Sequence, residues 1–225
     1  MIQDKQASIG PNPALHDVLM FSGQAHPALA RAIATYLGLE LSPTTITKFS
    51  NDDYYVQLGR SVRGKQVFIV QPLSPPCSDN LMELLLMLDI ARSGAAKDVC
   101  AVIPYFSYAR SDKKDAPRIS IAARLVADML VTAGATQVIT MTLHSPQVHG
   151  FFTVPTDHLT AHSVFLEHLR KKDLSNSVLV APVDLADGSY VAAGSAVTQG
   201  TDPGELAVAR GKQRNIPRWV DRRRA

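Results

Sequence analysis

The chain has 225 residues, 46% of them hydrophobic and 19% charged; this suffices for one large or two small packed domains and excludes disorder over most of the length. No apolar stretch reaches the roughly 18 to 20 residues of a bilayer-spanning helix, and the best candidate, Leu81 to Ile90, is broken by Glu83 and Asp89. The formal net charge of +3 is local: from Arg210 onward seven basic side chains face one acidic one, Asp221, so the preceding 209 residues carry −3.

A basic terminal tail with a single aromatic, Trp219, is not the folded basic face with interleaved aromatics that nucleic-acid binders present, so no nucleic-acid partner is expected. Met1 to Pro13 carries one Lys against one Asp and no apolar core; it reads as neither a secretory signal nor a transit peptide, and a cytoplasmic protein without a membrane partner is the expectation. Cys77 and Cys100, with no CxxC between them, are expected to be free thiols.

Short β-branched runs alternate with longer helical patterns, which predicts βαβ units and a mainly parallel sheet, an α/β fold. Asp17 to Phe21 reads as a strand ending in Ser22-Gly23. A helix follows from about His26 to Leu37, with Leu29, Ile33 and Leu37 on one face. Thr44 to Phe49, Tyr55 to Leu58 and Gln66 to Val70 read as strands. Ser78 to Ala95 reads as a helix apolar nearly all round, as for one buried between layers, with Asn80 and Glu83 at capping-box spacing. Val99 to Pro104 is the next strand and delivers the chain into Tyr105 to Ser120, an irregular polar stretch suited to a ligand loop. Helix is predicted over Ile121 to Thr132, stopped by Gly134. Gln137 to Leu143 reads as a strand ending at His144, Thr160 to Lys172 as a helix and Val178 to Pro182 as a strand.

Three segments carry candidate chemistry. In Tyr108 to Asp115, Arg110 offers a planar fork and Lys113 and Lys114 offer point charges to a polyphosphate, although a solvated surface loop accounts for the same run. His144, at the carboxyl end of a strand where open α/β sheets bind ligands, suits metal ligation, proton transfer or a structural hydrogen bond. Phe49, Asn51 and Asp53 would share a face if their segment is extended, which suits stacking and edge recognition of a base; a turn rich in Asn and Asp explains them equally well. There is neither GxGxxG nor GxxxxGK[ST], so a dinucleotide fingerprint and a P-loop are excluded.

Together with the text between them, these segments resemble the ribose-phosphate pyrophosphokinases, or phosphoribosyl pyrophosphate synthetases. The resemblance is carried by FSGQAHPALA (21–30), KFSNDD (48–53), SVRGKQVFIVQ (61–71), SDNLMELLLMLDIAR (78–92), AVIPYFSYARSDKKDAPRISIAARLVADML (101–130) and TMTLHSPQVHGFF (140–152), and spans about residues 16–182. It implies a phosphoribosyltransferase-like sheet with flanking helices, transfer of diphosphate from ATP to ribose 5-phosphate with Mg²⁺, and a homo-oligomer whose subunits share the nucleotide site. By resemblance Phe49, Asn51 and Asp53 hold the adenine, and Arg110, Ser111, Lys113 and Lys114 hold the ATP phosphates. His144 and Asp184 stand at positions associated with the metal, and Lys212 and Arg214 resemble a catalytic Lys-x-Arg.

The chain also departs from that pattern. Thr142 stands where the family carries an acidic residue two before the histidine, and Asp184 is displaced by one from its counterpart. The acidic, Gly/Thr-rich loop that binds the phosphate of ribose 5-phosphate has no match. The organisation expected is an N-terminal extension (1–15), a phosphoribosyltransferase-like domain (16–158) and a partial second domain with a divergent basic tail (159–225), reading as a truncated or divergent C-terminus. The expected activity is ribose-phosphate diphosphokinase; the alternative is a non-catalytic ATP-binding relic or a regulatory partner of a full-length synthetase.

Overall fold

The computed structural model describes residues 15–171, 190–191, 202–208 and 214–216, and the chain divides into two units, Met1–His162 and Ser163–Ala225. In chain order the first contains β1 (Val18–Ser22), α1 (Pro27–Leu37), β2 (Thr44–Lys48), β3 (Tyr54–Leu58), β4 (Gln66–Val70), α2 (Cys77–Ser93), β5 (Asp98–Ile103), α3 (Ala122–Ala133), β6 (Gln137–Met141), a 3-10 helix (Pro146–Phe151) and β7 (Thr156–Leu159). Five strands form one parallel sheet in the order β1-β4-β5-β6-β7. The antiparallel pair β2–β3 stands apart from it as a hairpin.

Alternation along the parallel strands sends side chains to two apolar layers. Leu19 and Phe21 of β1, Val67 and Ile69 of β4, and Ala101 and Ile103 of β5 share one core with Leu84, Leu88, Ala127 and Leu130 of α2 and α3. Met20, Val70, Phe68 and Val102 point the other way, toward Ala30 and Ala34 of α1. Each fully buried Leu or Ile in the larger core contributes roughly 1.5–3 kcal/mol over the exposed state.

Local chemistry sets the helix ends. Pro27 presets the first turn of α1, His26 Nδ1 accepts the Leu29 amide at 3.1 Å, and Gly38 at φ 69° ends it. α2 is apolar nearly all round because it meets the sheet, α3 and the β2–β3 hairpin, from which Ile46, Val56 and Leu58 reach the core. The capping box expected at Asn80 and Glu83 does not form. α2 begins at Cys77, so both residues lie within the helix, where they are buried and bonded to Gln71 rather than to the helix end.

The second unit contains α4, which starts at His162 and runs to Arg170, and the short strands β8 (Tyr190–Val191), β9 (Leu206–Val208) and β10 (Arg214–Ile216). These strands form a sheet in the order β10-β9-β8, antiparallel between β10 and β9 and parallel between β8 and β9. Glu205 is buried just before β9, and its carboxylate accepts the Asp202 amide at 2.9 Å. The strand expected over Val178 to Pro182 lies outside the described residues.

Candidate active site

Two loops leave the carboxyl ends of adjacent strands: residues 104–121 follow β5, and residues 142–155 follow β6. Between them lies a cleft of about 590 Å³ whose lining includes Tyr105, Tyr108, Arg110, Ser111, Thr142 and His144. The placement follows from the parallel sheet, which delivers both loops to the same edge. Two further contacts stitch them together. Asp112, 8% exposed, accepts the Gln147 side-chain amide at 3.0 Å, and Phe106 meets Phe152 edge to face at 5.6 Å.

Backbone strain concentrates here. Tyr108 and Thr142 both line the cleft at positive φ, 63° and 50°. For a β-branched residue such as Thr142 this conformation is an outlier that surrounding structure must hold in place. The hold is visible: the Thr142 amide donates to Leu159 O at 2.8 Å, its hydroxyl accepts the Ala161 amide at 3.2 Å, and the Leu143 amide donates to His158 Nε2 at 2.9 Å. That last bond assigns the His158 proton to Nδ1. The Tyr108 hydroxyl lies 3.4 Å from Ser78 Oγ, on the first turn of α2.

Of the residues singled out in the sequence, Arg110, Ser111 and His144 come together in the cleft. Arg110 and His144 are exposed, and neither has an ion-pair or hydrogen-bond partner among the described residues. The Ser111 hydroxyl is already engaged: it donates to Ser120 O at 3.0 Å and accepts the Ala122 amide at 3.2 Å, fixing the loop to the start of α3. Lys113 and Lys114 are exposed farther along the loop and do not line the cleft. His144 sits three residues past the end of β6 at Met141 rather than at the strand terminus.

Phe49, Asn51 and Asp53 form the turn of the β2–β3 hairpin and do not line the cleft. The extended arrangement does not occur. Phe49 donates its amide to Asp53 O at 2.8 Å, Asp52 takes φ 69°, and Asn51 Nδ2 donates to Asp53 at 2.6 Å. Phe49 nevertheless remains 52% exposed, a large aromatic presented to solvent. Lys48 ties the hairpin to α2 through Asp79 at 3.0 Å; that bond, with a second contact to Asp52, raises the Lys48 pKa. Asp184 and Lys212 lie outside the described residues, and Arg214 opens β10.

The described residues do not by themselves fit a Mg²⁺ site. Among them no three His, Cys, Asp or Glu side chains come together to hold an ion. No described residue lining the cleft carries a carboxylate, and a lone imidazole is a poor match for an ion that prefers oxygen.

A second polar cluster, which the sequence reading did not anticipate, lies under the turn after β1. Gln71, fully buried at the end of β4, accepts the Ala25 amide at 3.1 Å and donates to Glu83 at 3.0 Å; Glu83 also accepts the Gln24 amide. Burial pushes the Glu83 pKa up, and these two hydrogen bonds only partly oppose it. A Cβ at position 23 would collide with the Gln71 and Glu83 side-chain oxygens, so the close approach requires Gly23.

A family model described as the N-terminal domain of ribose phosphate pyrophosphokinase matches residues 18–134. A ribose-phosphate pyrophosphokinase from Deinococcus radiodurans is 57% identical over 167 residues, covering 73% of this chain and 52% of that protein. A namesake from Wolinella succinogenes is 50% identical over 163 residues, with 72% and 53% covered. A phosphoribosylpyrophosphate synthetase structure from Mycobacterium smegmatis superposes with a TM-score of 0.71 at 30% identity, over 89% of this chain and 67% of that one. The chain spans about half the length of these curated relatives.

Proposed function

Because this chain belongs to the ribose phosphate pyrophosphokinase family through its N-terminal domain, we propose that it transfers the β,γ-diphosphoryl group of ATP to the anomeric hydroxyl of ribose 5-phosphate. The hydroxyl oxygen forms a bond to the β-phosphorus, the bond from that phosphorus to the bridging α,β-oxygen breaks, the hydroxyl proton is lost, and AMP leaves. Such a transfer asks little covalent chemistry of a protein. It asks for alignment and for positive charge around the polyphosphate.

The observation that carries this reading is that Arg110 and His144, from two loops fastened to each other, line one cleft at the carboxyl ends of β5 and β6. Arg110 grips phosphate oxygens with its planar fork, Lys113 and Lys114 add charge at the loop tip, and His144 donates to the phosphate chain from the opposite loop. Fixing both reactants can supply on the order of 7 kcal/mol or more of the barrier. That makes the Asp112–Gln147 bond and the restrained Thr142 part of the machinery. Mg²⁺ enters with the nucleotide as part of the substrate, liganded by phosphate oxygens.

Adenine recognition falls to the exposed Phe49 with Asn51 and Asp53. Since these stand on a hairpin away from the cleft, the reading takes a homo-oligomer in which the hairpin of one subunit completes the cleft of another. Asp184, Lys212 and Arg214 are assigned to metal and transition-state contacts on resemblance alone. Among the described residues no helix is long and apolar enough to cross a membrane, and a cytoplasmic location goes with these soluble substrates.

The purified 225-residue chain, given ATP, ribose 5-phosphate and Mg²⁺, is expected to release AMP only when all three are present, and His144→Ala to lose at least about tenfold in rate. ATP binding without AMP release would favour the non-catalytic alternative.

A further inference from the structure

We infer that His158 is a positioning residue: from β7 its ring fixes the Leu143 amide and, through that peptide, the place of His144 in the cleft. The hydrogen bond that does so is 2.9 Å long and joins residues 15 apart in sequence. As a part of diphosphoryl transfer, this role rests on the proposed reading of the cleft.

β6 ends at Met141, and Thr142 turns the chain at φ 50°. Along an extended strand successive amides point to opposite sides. Here two successive amides turn toward the same strand: Thr142 donates to Leu159 O at 2.8 Å, and Leu143 donates to His158 Nε2. The first finds a backbone carbonyl, whereas the second depends on a side chain. Leu143 is only 9% exposed, so without the ring its amide becomes a buried donor lacking a partner, and the loop shifts to satisfy it. His144 is the next residue and moves with that peptide. The His158 ring accepts only as the neutral tautomer with its proton on Nδ1. His158 is itself exposed and pairs with Thr140 through the β6–β7 backbone. Replacing its ring therefore opens no cavity in the core, and the loss falls on the loop.

The test compares two variants of the full chain: His158→Gln, whose side-chain oxygen still accepts a hydrogen bond, and His158→Leu, which fills similar space and accepts nothing. In steady-state AMP formation His158→Leu is expected to lower kcat roughly ten- to hundredfold. KM for ATP is expected to change less than about threefold, since Arg110 still holds the polyphosphate, and His158→Gln to recover most of kcat. On a His144→Ala background His158→Leu is expected to cost less than about twofold more, because the residue it positions is gone. Equal losses in the Gln and Leu variants, or an undiminished loss on the His144→Ala background, would overturn the inference and leave the transfer reading standing. The bond is also read without turnover, as scalar coupling between the Leu143 amide nitrogen and His158 Nε2 in an isotopically labelled sample. Coupling is expected in the wild type, and its absence would overturn the inference. Coupling in a chain that releases no AMP would sustain the positioning and overturn the transfer reading alone.

Discussion

Glu83 is a carboxylate 2% exposed that accepts from Gln71 and the Gln24 amide and has no ion-pair partner among the described residues. Its folded pKa lies above the ordinary glutamate value because burial penalises the charge. The folded state therefore binds a proton more readily than the unfolded chain between the two values. The sign follows: this group's contribution favours folding at low pH and is lost as pH rises through the raised pKa. Glu83→Gln keeps an oxygen to accept both hydrogen bonds and carries no charge. Its melting temperature is expected to exceed that of the wild type at pH 8, with the gap closing toward pH 5; a gap that widens on acidification would contradict this account.

The candidate site residues show how much of a site a sequence can mark. Arg110 and His144 were legible because charge in an irregular loop and a histidine after a strand are local signals. What holds them was not. Asp112, Gln147 and His158 act through partners 15 to 35 residues away in sequence, and a bond across that separation leaves no periodic trace. For Phe49, Asn51 and Asp53 the local text permitted two conformations, and the Asn51–Asp53 hydrogen bond selects the turn.

At the level of elements, β4 over Gln66–Val70 and the stop of α3 at Gly134 were legible, since a run of β-branched and aromatic residues and a terminal glycine need no tertiary context. β7 was not anticipated. Its residues Thr156, Asp157, His158 and Leu159 are mostly exposed at the sheet edge, so no hydrophobic alternation marks them. The apparent capping box at Asn80 and Glu83 misled because the same residue types serve a buried network inside the helix.

A two-stranded hairpin is marginal by itself, and β2–β3 borrows its stability from α2 through Ile46, Val56 and Leu58. Val56→Ser is expected to raise amide exchange across Thr44–Leu58 by at least about tenfold while β4 and β5 keep their protection. Equal loss in all four strands would show that the hairpin unfolds only with the sheet.

For the whole molecule, the separation of hairpin and cleft has a consequence that mixing experiments can read. If one subunit's Phe49 serves another's Arg110, Phe49→Ala and Arg110→Ala should each be inactive alone, and the mixture should recover AMP formation to roughly a quarter of the wild-type level by random pairing. No recovery after co-refolding would place both halves of the site in one subunit. The second unit, with its short strands β8 to β10, is where the chain departs most from the family pattern, and of the basic residues from Arg210 onward only Lys212 and Arg214 resemble a motif.

The most direct measurement follows the phosphorus. With ATP labelled at the β-phosphorus, ribose 5-phosphate and Mg²⁺, the account predicts that the label moves onto the ribose as diphosphate while unlabelled AMP is released. Label recovered only in ADP or in free phosphate or diphosphate would contradict diphosphoryl transfer by this chain.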